Sequence, residues 1–308
     1  MELSSIEHID PAQLTDFKAD VFITGLGFET RSTTVSRLIE ESSCKKIALK
    51  GEIRVKEFSF QENENYFKEH SFEILTVNSE IPDVDALLGP IEGEQVNIMI
   101  DCTSMPPHWY YEFFRWFYEN QDGDGKARMR IIYTMAKYVR QPASRKVKEI
   151  SDFLKADIKP SNGKKVALIL GLGQEKNVSE SIYNLVDPDL LYLFYADPPV
   201  EKHFVEKVFI NNHKLINESP IRNLVAYPIR NGHSIYQSLI DIILPLRDEY
   251  SIVLIPQGPK IFSVVAMLVH MGYPDIMVSY PVFKKLYVAD RLPCDTPVIL
   301  DILFEGEE

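Results

Sequence analysis

The segment Val21-Phe22-Ile23-Thr24-Gly25-Leu26-Gly27-Phe28-Glu29 decides the fold, because the chain repeats it. A short apolar run reads as a buried strand, and Gly25-Leu26-Gly27 breaks it. A helical pattern follows, with Val35, Leu38 and Ile39 on one face. At an offset of 146 residues the apolar run Val166 to Leu170 ends in Gly171-Leu172-Gly173-Gln174-Glu175. A second pair of signals stands at an offset of 155 residues. Val96 to Ile100 is a strongly apolar strand ending at Asp101, and Ile252 to Ile255 is one ending at Pro256. Two strand–loop–helix signals at nearly one offset predict an internal duplication.

Outward from these anchors, short apolar runs alternate with longer amphipathic stretches, the pattern of βαβ units. Ile47 to Leu49, Phe72 to Val77 and Arg130 to Thr134 read as further strands of the first half. Leu190 to Tyr195 and Ile276 to Tyr280 do so in the second, and Pro297 to Leu303 reads as a last strand on a sheet edge. His108 to Tyr118 is an aromatic helix whose stripe is core. Lys146 to Lys159 reads as helix and connector, and Pro160-Ser161-Asn162-Gly163 as a break. The expected fold is α/β: two tandem Rossmann-like domains with mainly parallel sheets, over residues 1–160 and 161–308.

The 308 residues suit two domains of about 150 residues each. No apolar run approaches the ~18 residues of a membrane span, and no secretory signal opens the sequence. Cys44, Cys102 and Cys294 lie far apart with no CxxC pair. Neither a disulfide framework nor a metal site is expected, no cofactor is implied, and a cytoplasmic protein is the natural reading. The net charge of −12 opposes non-specific binding of duplex nucleic acid. It leaves room for a small anionic ligand, since salt screens the average field beyond roughly 8–10 Å.

In a dinucleotide-binding loop the first two glycines allow close approach of phosphate to a helix N-terminus, and a third glycine completes the motif. Thr30 and Lys176 stand at that third position, and no acidic residue follows Leu49 at the spacing that holds a ribose. NAD binding is therefore not expected. Gly25, Gly27, Gly171 and Gly173 remain candidates for a simpler phosphate contact. Arg31 has the chemistry for a bidentate phosphate bond, and Glu29 that of a general base or a ribose ligand. The alternative is an ordinary helix start with Arg31 in a surface pair. Glu175 occupies the position of Glu29 in the second copy.

Asp101 at the end of its strand is either a catalytic or ligand-binding carboxylate, or the cap of its own loop. Thr103 and Ser104 add hydroxyls beside the next helix start, and Cys102 reads as a small buried thiol. In the matching loop Gly258 lets backbone approach a ligand, and Lys260 at a helix start is a partner for phosphate or carboxylate. Asp197 and His233 sit in further polar loops after strands. Arg31 and Lys260 are expected as surface cations whose loss costs about 0.5 kcal/mol or less.

The loops Asp101-Cys102-Thr103-Ser104 and Gln257-Gly258-Pro259-Lys260 resemble the D-x-T-G-G-T-K-like turn of CARF-type (CRISPR-associated Rossmann-like) domains. The first keeps the Asp and Thr without the glycines and lysine. The second keeps one Gly and the Lys without the Asp and Thr. The resemblance implies a regulatory domain, in two copies, that binds a cyclic or linear oligonucleotide messenger in a prokaryotic antiviral system. The residues themselves leave three classes open. One is a sensor of a nucleotide or other phosphorylated small ligand. Another is an enzyme on such a ligand, with Glu29 or Asp101 as acid or base. The third is a non-catalytic subunit that holds a protein partner or a second copy. No membrane partner is expected.

Overall fold

The computed structural model describes residues 2–40, 42–51, 57–77, 81–88, 95–119, 126–139, 145–152, 163–199, 201–284, 288–294 and 296–305. The chain divides into two units. Unit 1 comprises Met1–Lys137 together with Ala289–Glu308, and unit 2 comprises Tyr138–Val288.

Unit 1 contains β1 (Glu2–His8), β2 (Val21–Gly25), α1 (Thr34–Leu38), β3 (Lys45–Lys50), α2 (Phe60–Glu69), β4 (Glu73–Thr76), α3 (Val84–Leu88), β5 (Gln95–Asp101), α4 (Pro107–Glu119) and β6 (Lys126–Tyr133). The chain's last strand, β13 (Val298–Glu305), joins them. All five residues of β2 are buried, so its uniform apolar run is that of a central strand covered on both faces. The sheet order is β1-β13-β6-β5-β2-β3-β4. From β4 to β6 the strands are parallel, whereas β13 runs antiparallel to β6 and β1 antiparallel to β13. Tyr110, Phe113, Phe114 and Phe117 of α4 are fully buried, as the aromatic stripe requires. In α1, Val35 is fully buried while Leu38 is half exposed, so the apolar face is narrower than its spacing predicts.

Unit 2 contains β7 (Val147–Asp152), β8 (Lys165–Gly171), α5 (Val178–Val186), β9 (Leu190–Ala196), α6 (Lys202–Asn211), α7 (His213–Glu218), β10 (Leu224–Tyr227), α8 (Gly232–Leu246), β11 (Tyr250–Ile255), α9 (Lys260–Gly272) and β12 (Met277–Phe283). The order is β10-β9-β8-β11-β12-β7, parallel except for β7. Every residue of α9 from Ile261 to Met271 is buried, which marks a helix enclosed on all sides. In both units the strand order reverses beside the first parallel strand, between β2 and β5 and between β8 and β11. Such reversals open a crevice at the carboxyl ends of the strands.

The α/β class and the paired, mainly parallel sheets agree with the sequence. Two expectations do not hold. Residues 147–152 form strand β7, not the start of a helix: Val147 and Ile150 pack on the core of unit 2, while the backbone pairs with β12. The rest of the expected helix, and Pro160 to Asn162, lie outside the described residues. Residues 298–305 belong to the first sheet, where β13 lies between β1 and β6 and not on an edge. The division is therefore not 1–160 and 161–308. Each unit's parallel sheet is extended by an antiparallel strand that follows the other unit's last parallel strand: β7 follows β6, and β13 follows β12.

A buried ion pair fastens that exchange in unit 1. Arg130 on β6 and Asp301 on β13 are 3% and 4% exposed. The guanidinium is bidentate on the carboxylate at 2.6 and 2.8 Å and also donates to the carbonyl of Gln13 at 2.9 Å. Asp301→Ala strands the Arg130 charge, so it should destabilise the fold by about 3–5 kcal/mol in urea unfolding. A loss below ~1 kcal/mol would show the pair to be dispensable.

Candidate functional site

In unit 1 the loop after β2 is closed by the chain itself. A Cβ on Gly27 would stand 2.8 Å from the Ser104 Cβ, so this glycine lets the loops after β2 and β5 touch. The Ser32 hydroxyl donates to the Gly25 carbonyl at 2.9 Å and accepts from the Gly27 N–H at 3.1 Å. Asn63 of α2 donates to the carbonyls of Gly27 and Glu29 at 3.0 and 2.9 Å. Arg31 is 5% exposed and is not a surface cation. It donates to Glu29 at 2.7 Å and to the Thr134 carbonyl at 2.5 Å. Burial works against its charge, but Tyr133 and Glu29 more than restore it, so the guanidinium is held more firmly protonated than usual.

The loop after β5 is engaged in the same network. Asp101 is fully buried and accepts from the Thr103 N–H at 3.0 Å and from Thr24 at 3.3 Å. Thr103 in turn accepts from the Thr134 N–H at 2.9 Å. The loop-capping alternative for Asp101 is thus realised. Over this edge lies the segment that leads into β13. The Asp290 carboxylate accepts from the Thr30 N–H at 2.8 Å and from the Thr30 hydroxyl at 2.7 Å. Arg291 reaches Glu29 at 3.3 Å, and its carbonyl accepts from the Arg31 N–H at 3.2 Å. Asp290 and Arg291 carry no periodic or motif signal, Thr134 is read only as the end of a strand, and sequence reasoning misses the part that all three play.

Unit 2 repeats this construction with a different outcome. A Cβ on Gly171 would stand 2.5 Å from the Gln257 carbonyl oxygen, so the loops after β8 and β11 also touch. Asn212 donates to the Gly173 carbonyl at 2.9 Å and Asn211 to the Gln174 carbonyl at 2.6 Å, the part Asn63 plays in unit 1. Lys176 and Asn177, which take the places of Thr30 and Arg31, are exposed. Gly258 is exposed at φ +97°, a left-handed conformation that favours glycine, and two residues later Lys260 begins the 13-residue α9. Glu175 lies 3.6 Å from Arg145, whose guanidinium stacks 3.6 Å from the centre of the Phe283 ring. Phe283 ends β12 and faces Val147 of the antiparallel β7, which brings Arg145 to the carboxyl edge of the sheet. Arg145 lies outside every motif, so it too is missed by the sequence.

Asp197 and His233 are exposed at the carboxyl ends of β9 and β10, on the same edge, but no described bond joins them to the Gly171–Lys260 cluster. The Asn231 side chain, not His233, caps α8 by accepting from the Ser234 N–H at 2.9 Å. Among the described residues no helix is long and apolar enough to cross a membrane.

No protein-family model matches the chain, and no curated protein matches it. Two solved structures are similar in part. One is described as a universal stress protein from Pseudomonas aeruginosa, 10% identical, with a TM-score of 0.24 over 87% of this chain and 95% of that one. The other is a phosphoethanolamine N-methyltransferase from Haemonchus contortus, 8% identical, with a TM-score of 0.21 over 86% of this chain and 64% of that one. Similarity at this level carries no function, which has to be read from the chain's own residues.

The unit-1 network makes a direct prediction. Arg31→Ala removes the cation that joins Glu29 to the Thr134 carbonyl, so it should cost about 3 kcal/mol, the scale of a broken buried pair. An unfolding midpoint unchanged from that of the unaltered protein would return Arg31 to the class of surface cations.

Proposed function

We propose that the chain is a nucleotide-binding regulatory protein whose ligand places a phosphate at the carboxyl edge of unit 2. The observation that carries this reading is the unequal fate of two equivalent loops. In unit 1 the loop is filled from within by Arg31, Glu29 and Asp290. In unit 2 the same edge presents exposed Gly258, Lys176 and Asn177 beside the start of α9. The partial positive charge of a helix start favours an anion there, and Lys260 in the first turn adds a full charge. Gly171 and Gly173 bring the neighbouring loop close enough to share the contact.

Binding without turnover is favoured over catalysis. Glu29 and Asp101, the two candidate acid–base residues, are both engaged in internal bonds, and Asp101 is fully buried, which supports binding over turnover. The CARF-type resemblance extends the proposal to the ligand's class, a cyclic or linear oligonucleotide messenger, and to service in a prokaryotic antiviral system.

Thermal unfolding against mono-, di- and cyclic oligonucleotides tests the reading. A nucleotide at 100 times its dissociation constant should stabilise the protein by roughly 2.7 kcal/mol and raise the melting temperature by several degrees. Lys260→Ala should reduce the shift, and the nucleotide should be recovered unchanged. A recovered nucleotide that is altered would make the chain an enzyme, and no shift across the panel would remove the nucleotide reading.

A further inference from the structure

Arg145 and Arg291 are 146 residues apart, the offset that also separates Glu29 from Glu175. Each arginine lies in the segment that leads into the exchanged antiparallel strand, and each meets the glutamate of the glycine loop in the unit it joins. The two pairs are the same device in two settings. In unit 1 the glutamate is held on both sides, by Arg291 at 3.3 Å and by Arg31 at 2.7 Å. In unit 2 the only described cation on Glu175 is Arg145, at a distance of 3.6 Å. The place of Arg31 is there taken by exposed Asn177.

The free edge of Glu175 turns onto the glycine loop. A Cβ on Gly173 would stand 2.8 Å from Glu175 Oε2 and 3.7 Å from the Gly258 nitrogen. An internal carboxylate thus rests on the glycine that borders the exposed Gly258 loop. Arg145 is held independently of that carboxylate, because its guanidinium stacks on Phe283. Removing Glu175 from it therefore leaves a positioned cation.

We infer that Arg145 is a ligand-contacting residue of unit 2, and that a phosphate group of the ligand displaces the Glu175 carboxylate to pair with it. This rests on the nucleotide reading of the same edge and adds a specific exchange. An arginine fork matches two phosphate oxygens, and a terminal phosphate monoester, such as a 5′-phosphate, carries more charge than the carboxylate it replaces. Glu175 is then an internal competitor of the ligand, a part opposite to that of a binding residue.

The opposite signs make the test. Binding of 5′-phosphorylated tetra-adenylate is measured by calorimetry for the unaltered protein and for Lys260→Ala, Arg145→Ala and Glu175→Gln, each checked for folding by circular dichroism. Arg145→Ala should weaken binding roughly tenfold or more, the scale of a lost charge-assisted hydrogen bond. Glu175→Gln should tighten it severalfold, and this variant keeps the side chain's size, so it remains readable if Arg145→Ala does not fold. Binding by the unaltered protein that depends on Lys260 but is unmoved by Arg145→Ala, or that weakens or stays constant with Glu175→Gln, overturns the exchange and leaves the nucleotide reading standing. No binding of this probe by the unaltered protein overturns the exchange, and overturns the nucleotide reading with it when the mono-, di- and cyclic oligonucleotides also give no thermal shift.

Discussion

The pairing of β13 with β6 is the contact on which the rest of unit 1 depends. It runs in continuous antiparallel register from Val298↔Tyr133 to Glu305↔Lys126, and β1 is attached through it from Leu300↔His8 to Glu305↔Glu2. Without β13 the parallel sheet would end at β6, with buried residues such as Ile131 and Ile132 beside unpaired backbone. The residues that close the sheet come from more than 150 positions further along the chain. Closure of so long a loop costs conformational entropy before any contact rewards it. The buried Arg130–Asp301 pair is therefore placed where register most needs fixing, since a slip of one residue would leave both charges without a partner.

This long-range exchange also explains what the sequence can and cannot reveal. Apolar runs such as Val21–Thr24 and Ile252–Ile255 identify their strands because a fully buried parallel strand leaves its mark locally. The two glycine-loop signals are legible for the same reason: each follows such a strand directly. The division into units is not legible, because nothing within Val147–Asp152 or Val298–Glu305 states which sheet will receive it. Val147 and Ile150 stand three apart, the spacing of a helix face, yet the segment pairs with β12, and a register shift between them accompanies the packing of both on the core of unit 2.

The candidate site divides along the same line. Residues adjacent to a strand end, such as Gly27, Glu29, Asp101 and Gly258, can be found by position alone. Their roles depend on partners that arrive from elsewhere. Arg31 looks like a surface cation until the Thr134 carbonyl and Glu29 close on it, and Thr30 gains its carboxylate from Asp290. Side-chain direction and long-range pairing are tertiary facts. Asn63 in unit 1 and Asn211 and Asn212 in unit 2 make the point again, because a helix asparagine has no pattern that announces it as the clamp of a glycine loop.

Two copies of one loop, one filled and one open, fit a division of labour better than two equal sites. A filled copy keeps the geometry of the edge at no cost in ligand. Its buried guanidinium has surrendered its hydration to Glu29 and to a carbonyl, and an outside phosphate could win it only by stranding those groups. In the open copy the cations Lys176 and Lys260 lie near the surface, and Arg145 keeps a stacked face whatever its carboxylate does. On the proposed reading a phosphate there would meet cations nearer the surface than Arg31. The net charge of −12 does not reverse this preference, because donors within a few ångströms outweigh a screened average field.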